Sequence, residues 1–156
     1  QVEHPVTEMV TGIDIVQEGI RLAAGAKLDL AQEDVAIRGH AIECRVNAED
    51  PATQRPSPGT VSSFIAPGGC GVRVDTALFS GCTIPMYYDS LIAKLIAHGR
   101  TREDALARMR VALGECVLEG VKSNIPLHLK ILDHPGFLSG ATHTKFLEDL
   151  LAGEET

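Results

Sequence analysis

Tryptophan is missing from this 156-residue chain and aromatic residues make up only 4% of it, so a core has to be built from aliphatic side chains. Cationic residues are also short. Fourteen Lys and Arg face 21 Asp and Glu, and the resulting formal net charge of −7 argues against a nucleic-acid groove, which needs clustered cations. No apolar run reaches the roughly 20 residues that span a bilayer. The opening Gln-Val-Glu-His does not begin a signal peptide, and a cytoplasmic location with no membrane contact is the expectation. Cys44, Cys70, Cys82 and Cys116 are widely and irregularly spaced, with no CxxC pair. Reduced, partly buried thiols are expected of them ahead of a structural zinc site.

What is present suits one domain with a real core: 44% hydrophobic and 22% charged residues. In the opening QVEHPVTE, Val2 alternates with polar Gln1 and Glu3, and Pro5 favours extended geometry at His4. The chain is therefore expected to open on a strand tip that presents a carboxylate and an amide. Residues 6–24 have helical spacing, in one or two pieces, weakened at Gly12 and stopped by Gly25. A polar connector over residues 26–34 leads into a long, heavily charged strand from Val35, in which Gly39 marks a bulge or a close backbone approach. After a proline-rich loop, short strands are expected at residues 60–65, 72–75 and between Gly81 and Pro85. Residues 89–97 read as a buried strand ended by Gly99. Residues 101–118 form the clearest helix, with Thr101 and Asp104 at capping-box spacing and one apolar stripe. Two shorter helices follow at residues 125–132 and 144–151, joined through Pro135-Gly136. Together these give an α+β fold, a mainly antiparallel sheet flanked by helices.

Several tempting features read as structural. His4 and His40 suit packing or hydrogen bonding better than catalysis, and with Cys44 they lack any metal-ligand spacing. The glycines of residues 67–71 neither open a helix nor precede GK[ST], so a turn between strands is their expected job, not a phosphate cradle. Tyr87, Tyr88 and Asp89 are expected to be structural at the mouth of a buried strand.

Read in order, QVEHPVTE, GHAIECRVNAEDP, PSPG, APGG with GVRVDT, YYDSLIAKLI, GVKSNIPLH and KFLED resemble one family over nearly the whole chain. That family is biotin carboxylase, the ATP-grasp subunit or domain of acetyl-CoA, propionyl-CoA and pyruvate carboxylases. The likeness is to its carboxyl-terminal third, with residues 1–34 as the end of the ATP-grasp domain and residues 35–156 as the carboxyl-terminal domain. The wording is nearest to the bacterial acetyl-CoA carboxylase subunit.

The resemblance implies that Glu3 is the general base that deprotonates bicarbonate, and that Gln1 and the Val2 backbone also contact that anion. It implies that Arg45 binds both bicarbonate and the ureido oxygen of biotin, where a planar guanidinium can bond an anion in a bidentate way and stabilise developing charge. It places Arg73 near a homodimer contact. The final helix resembles a segment skirting the adenine pocket. Biotin on a carrier protein, ATP and Mg2+ or Mn2+ are the implied cofactors. Biotin carboxyl carrier protein, a carboxyltransferase and the upstream ATP-grasp half are the implied partners.

In the family, the glycine-rich lid, nucleotide lysines, magnesium ligands and a catalytic arginine all precede QVEH. None is among these residues, so the chain alone is expected to be inactive and to bind no cofactor or metal tightly. The alternatives are a non-catalytic dimerisation or docking module, the same domain from a propionyl-CoA or pyruvate carboxylase, and another ATP-grasp ligase.

Overall fold

The computed structural model describes residues 3–153. Helix α1 (His4–Thr11) is followed by α2 (Ile15–Ala23), a single turn of 3-10 helix (Gln32–Asp34), and strand β1 (His40–Asn47). Strands β2 (Gly59–Thr60), β3 (Ser63–Ile65), β4 (Val72–Thr76), β5 (Thr83–Ile84) and β6 (Leu91–Gly99) come next. Helix α3 (Arg102–Glu115), strand β7 (Val117–Glu119) and helices α4 (Ile125–Asp133), α5 (Pro135–Ser139) and α6 (Phe146–Ala152) complete the order. The expected α+β class with antiparallel pairing holds.

The main sheet has the order β1-β6-β4, antiparallel throughout, and β6 is its middle strand. Its register explains both faces. Ile42, Ala97 and Val72 stand in one cross-strand row and Cys44, Leu95 and Val74 in the next. This apolar face packs on Ala105, Leu106, Met109 and Leu113 of α3 and forms the principal core. Because side chains alternate along a strand, the opposite face carries the rows Glu43–Ile96–Arg73 and Arg45–Lys94–Asp75. Helix α1 lies over that charged face, against β1 and β6, with Pro5 fully buried and Glu8 bonded to Arg73.

The sequence reading needs five corrections. First, the expected opening strand is not seen in Glu3, which stands in a turn (φ −79°, ψ −1°) as the N-cap of α1; Gln1 and Val2 lie outside the described residues. Pro5 does not hold His4 extended, since a proline in the first helical turn forfeits no helical hydrogen bond. Second, the long charged strand starts at His40, five residues later than expected, because the Arg38 N–H bonds the carbonyl of Val10 in α1 and no strand neighbour. Gly39, at φ +72°, is a close approach: a Cβ there would collide with the Gly99 carbonyl. The one register shift of this strand falls instead between Val46 and Asn47.

Third, residues 60–65 are two strands, since β2 pairs with β5 whereas β3 pairs with β7. Fourth, α3 stops at Glu115, and Val117 and Leu118 turn into β7. Fifth, Tyr87 and Tyr88 are 86% and 82% exposed, so they do little packing at the mouth of β6. The helix break at Gly12 (φ +74°), the cap of Thr101 on the Asp104 N–H at 3.2 Å, and the buried β6 all follow the sequence reading. None of the four cysteines is in a disulfide. Cys44 is buried, which pushes its thiol up to about 12.

Candidate functional site

Arg45 projects from the charged face of β1, exposed, and within 4 Å no described carboxylate pairs with its guanidinium. Neither Glu43, two residues before it on β1, nor Glu49, just past the strand end, forms an ion pair with it within 4 Å. Its neighbour across the sheet is Lys94, itself 3.7 Å from Asp75. Two cations therefore stand side by side on one face, and Lys94 alone among them is neutralised.

Glu3 approaches this face from the start of α1. Helix α1 is tied near its carboxyl end, where the Arg38 N–H donates to the Val10 carbonyl, and it contacts both β1 and β6. Burial pushes the Glu43 carboxyl above the usual value, Lys94 pulls it down, the Glu3 carboxylate pushes it up, and His4 and Arg45 pull it down. Glu3 and Arg45 both bear on the Glu43 carboxyl, with opposite sign. One oxygen of Glu43 is buried without a hydrogen-bond partner among the described residues.

Arg73 is engaged within the chain. It donates from Nε and Nη2 to both oxygens of Asp75, at 2.8 and 2.9 Å, and from Nη1 to Glu8 at 2.6 Å. Its fork holds the Asp75 carboxyl below the usual range, and Lys94 adds to that. Gln1 and Val2 lie outside the described residues. Among the described residues no three His, Cys, Asp or Glu side chains converge as a metal site would need.

Residues 43–149 match the family model described as the biotin carboxylase C-terminal domain. The chain belongs to this family. Residues 1–31 match a second model, the ATP binding domain of the carbamoyl-phosphate synthase L chain. Among curated relatives, biotin carboxylase 1 of Bacillus subtilis is 57% identical over 149 residues, which is 95% of this chain and 33% of the relative. A pyruvate carboxylase subunit from Methanothermobacter thermautotrophicus is 48% identical over 98% of this chain and 31% of its own length. The chain spans about a third of the length of the curated relatives it matches.

Solved structures agree on the fold. The biotin carboxylase domain dimer of 2-oxoglutarate carboxylase from Hydrogenobacter thermophilus, bound to MgADP, ADP and bicarbonate, superposes at TM-score 0.93 with 50% identity, over 96% of this chain and 33% of that one. The biotin carboxylase subunit of a pyruvate carboxylase gives 0.95 with 48% identity, over 100% and 35%.

Sequence reasoning named Glu3 and Arg45 as candidates but missed what surrounds Arg45. Lys94 and Asp75 join the face only through strand register. Asn124 and His128, some 80 residues along the chain, bond the Arg45 backbone. The GVKSNIPLH motif was visible, and nothing local said where it would land.

Proposed function

We propose that this chain is the carboxyl-terminal part of an ATP-dependent biotin carboxylase, which makes carboxyphosphate from bicarbonate and ATP and carboxylates biotin on a carrier protein. The observation that carries the proposal is the exposed guanidinium of Arg45, without an ion pair to any described carboxylate, on the sheet face that α1 crosses. Glu3 is the base that takes the proton from bicarbonate, and the anion so formed attacks the γ-phosphorus of ATP, forming the O–P bond of carboxyphosphate as the bond to the bridging oxygen breaks and ADP leaves. Arg45 holds bicarbonate by two parallel bonds, then stabilises negative charge on the ureido oxygen as the biotin nitrogen loses its proton. Gln1 and Val2 complete the bicarbonate contacts. The described residues offer no fit for Mg2+, so no step is assigned through it.

The nucleotide and metal belong to an upstream ATP-grasp half. Support comes from α2, whose Val16 and Ile20 are 52% and 66% exposed along an open recess of about 710 Å3. Such a bare apolar helix face suits further polypeptide. The boundary proposed between residues 34 and 35 falls in the segment left between the two matched stretches.

A homodimer through the free edge of β4, near Arg73, a carrier protein, a carboxyltransferase and a cytoplasmic setting complete the reading. No helix among the described residues is long and apolar enough to cross a membrane. An acetyl-CoA carboxylase is favoured as the parent, and a pyruvate carboxylase is the second reading. Bacterial relatives named biotin carboxylase are 51–57% identical, against 48% for the pyruvate carboxylase subunit, although a chloroplastic biotin carboxylase is at 47%.

The test joins this chain to the ATP-binding half of a biotin carboxylase. Arg45→Ala is expected to cut biotin carboxylation by about 100-fold or more, and bicarbonate-dependent ATP cleavage far less. Glu3→Gln is expected to abolish that ATP cleavage with the fold intact. Equal losses in the arginine variant, or normal turnover in the glutamine variant, remove the assigned roles.

A further inference from the structure

We propose that Asn124 and His128 are positioning residues for Arg45, a pair that fixes where its guanidinium stands; this rests on the reading of Arg45 given above. Strand β1 is an edge of the main sheet, so the backbone groups of Arg45 and Asn47 that face away from β6 have no strand neighbour. Left to water, such an edge frays readily.

The start of α4 closes it. The Asn124 Nδ2 donates to the Arg45 carbonyl at 3.0 Å, and the Asn47 N–H donates to Asn124 Oδ1 at 2.9 Å. The Asn124 N–H donates to the Asn47 carbonyl at 3.2 Å. The His128 Nε2 lies 2.8 Å from the same Arg45 carbonyl and must be the donor, since a carbonyl has no proton to give. One carboxamide thus imitates a missing strand, and both lone pairs of the Arg45 carbonyl are taken.

Two features separate this from ordinary edge closure. Asn124 is the buried polar side chain of the described residues, 8% exposed, and burying an amide costs free energy that an apolar contact would not. The Arg45 side chain, in turn, makes no hydrogen bond or ion pair with another described residue. What the described residues hold is the backbone from which it extends, where two of the four bonds converge. Reactions held in near-attack geometry lose about 100-fold for a misplacement of roughly 1 Å.

The experiment uses this chain joined to the ATP-binding half, with His128→Leu, His128→Gln and Arg45→Ala compared. Biotin carboxylation, bicarbonate-dependent ATP cleavage and melting temperature are measured for each. His128→Leu is expected to repeat the Arg45→Ala signature at smaller size, with carboxylation down roughly tenfold and ATP cleavage down less than about threefold. His128→Gln, whose amide can donate to the same carbonyl, is expected to restore carboxylation. Should His128→Leu melt below the assay temperature, His128→Ala takes its place in the same comparison. Parallel loss of both activities, no loss at all, or no rescue by Gln overturns the proposal. If Arg45→Ala itself spares carboxylation, the reading of Arg45 falls and the positioning role with it. If only the His128 variants are silent, the positioning role alone falls.

Discussion

Glu43 stands two residues from Arg45 on the same face, with one oxygen buried and unbonded among the described residues. Burial is the main cause that raises its carboxyl above the ordinary 4.5, with Lys94 opposing and Glu3 adding to the rise. A carboxyl whose folded pKa exceeds its unfolded one favours folding while protonated. That contribution is fully present below the unfolded value and is lost as pH rises through the folded value. Glu43→Gln, which cannot ionise, is expected to match the parent near pH 4 and to become the more stable of the two towards pH 8. Urea denaturation across that range checks it, and a pH-independent difference would mean that Glu43 ionises in the fold at no cost. The same carboxyl makes the site side of the sheet more than a pair of family residues, because Glu3, Arg45 and Lys94 all bear on it.

Strand β6 carries the element-scale energetics. Leu95, Ile96 and Ala97 are fully buried in its middle, between the α3 face and the α1 face. Leu95→Ala is expected to cost about 2–5 kcal/mol, whereas Val111→Ala on the exposed side of α3 is expected to stay within about 0.5 kcal/mol. Denaturant midpoints for the two variants check the contrast, and equal losses would contradict the central place given to β6. This strand was legible because its signal is local: an apolar run with a glycine after it. The start of α3 was legible for the same reason, since the Thr101 cap and the residues it serves lie three apart. The start of β1 was not, because a bond from Arg38 to Val10 decides it. Residues 60–65 were misread as one strand because two partners, β5 and β7, divide them: the Val61 N–H goes to Cys82 and the Ser62 N–H to Glu119. Sequence periodicity shows that a residue is extended and says nothing of its neighbour.

At the scale of the molecule, the site was legible only as far as contiguous motifs reach. Glu3 and Arg45 could be named from QVEH and ECRVNAED, and α1, which Glu3 caps, packs on the sheet that carries Arg45. The residues that hold and tune them come from β4, β6 and α4, and only the tertiary fold assembles these. The proposed division between this chain and an ATP-binding half is tested at the same scale. The chain's match to an ATP-binding domain covers residues 1–31 alone, and no described cluster of carboxylates suits a divalent metal. Phosphoryl transfer rests almost wholly on clamping the nucleotide and neutralising its charge. Calorimetric titration of this chain with Mg-ATP is therefore expected to give no binding tighter than about 1 mM, and joining it to the ATP-binding half is expected to bring binding into the micromolar range. Micromolar affinity in the isolated chain would place a nucleotide site within these 156 residues and overturn the division of labour between the two halves. The joined protein should also lose the solvent exposure of Val16 and Ile20 on α2, since a helix with no buried residue of its own gains its packing only from what covers it.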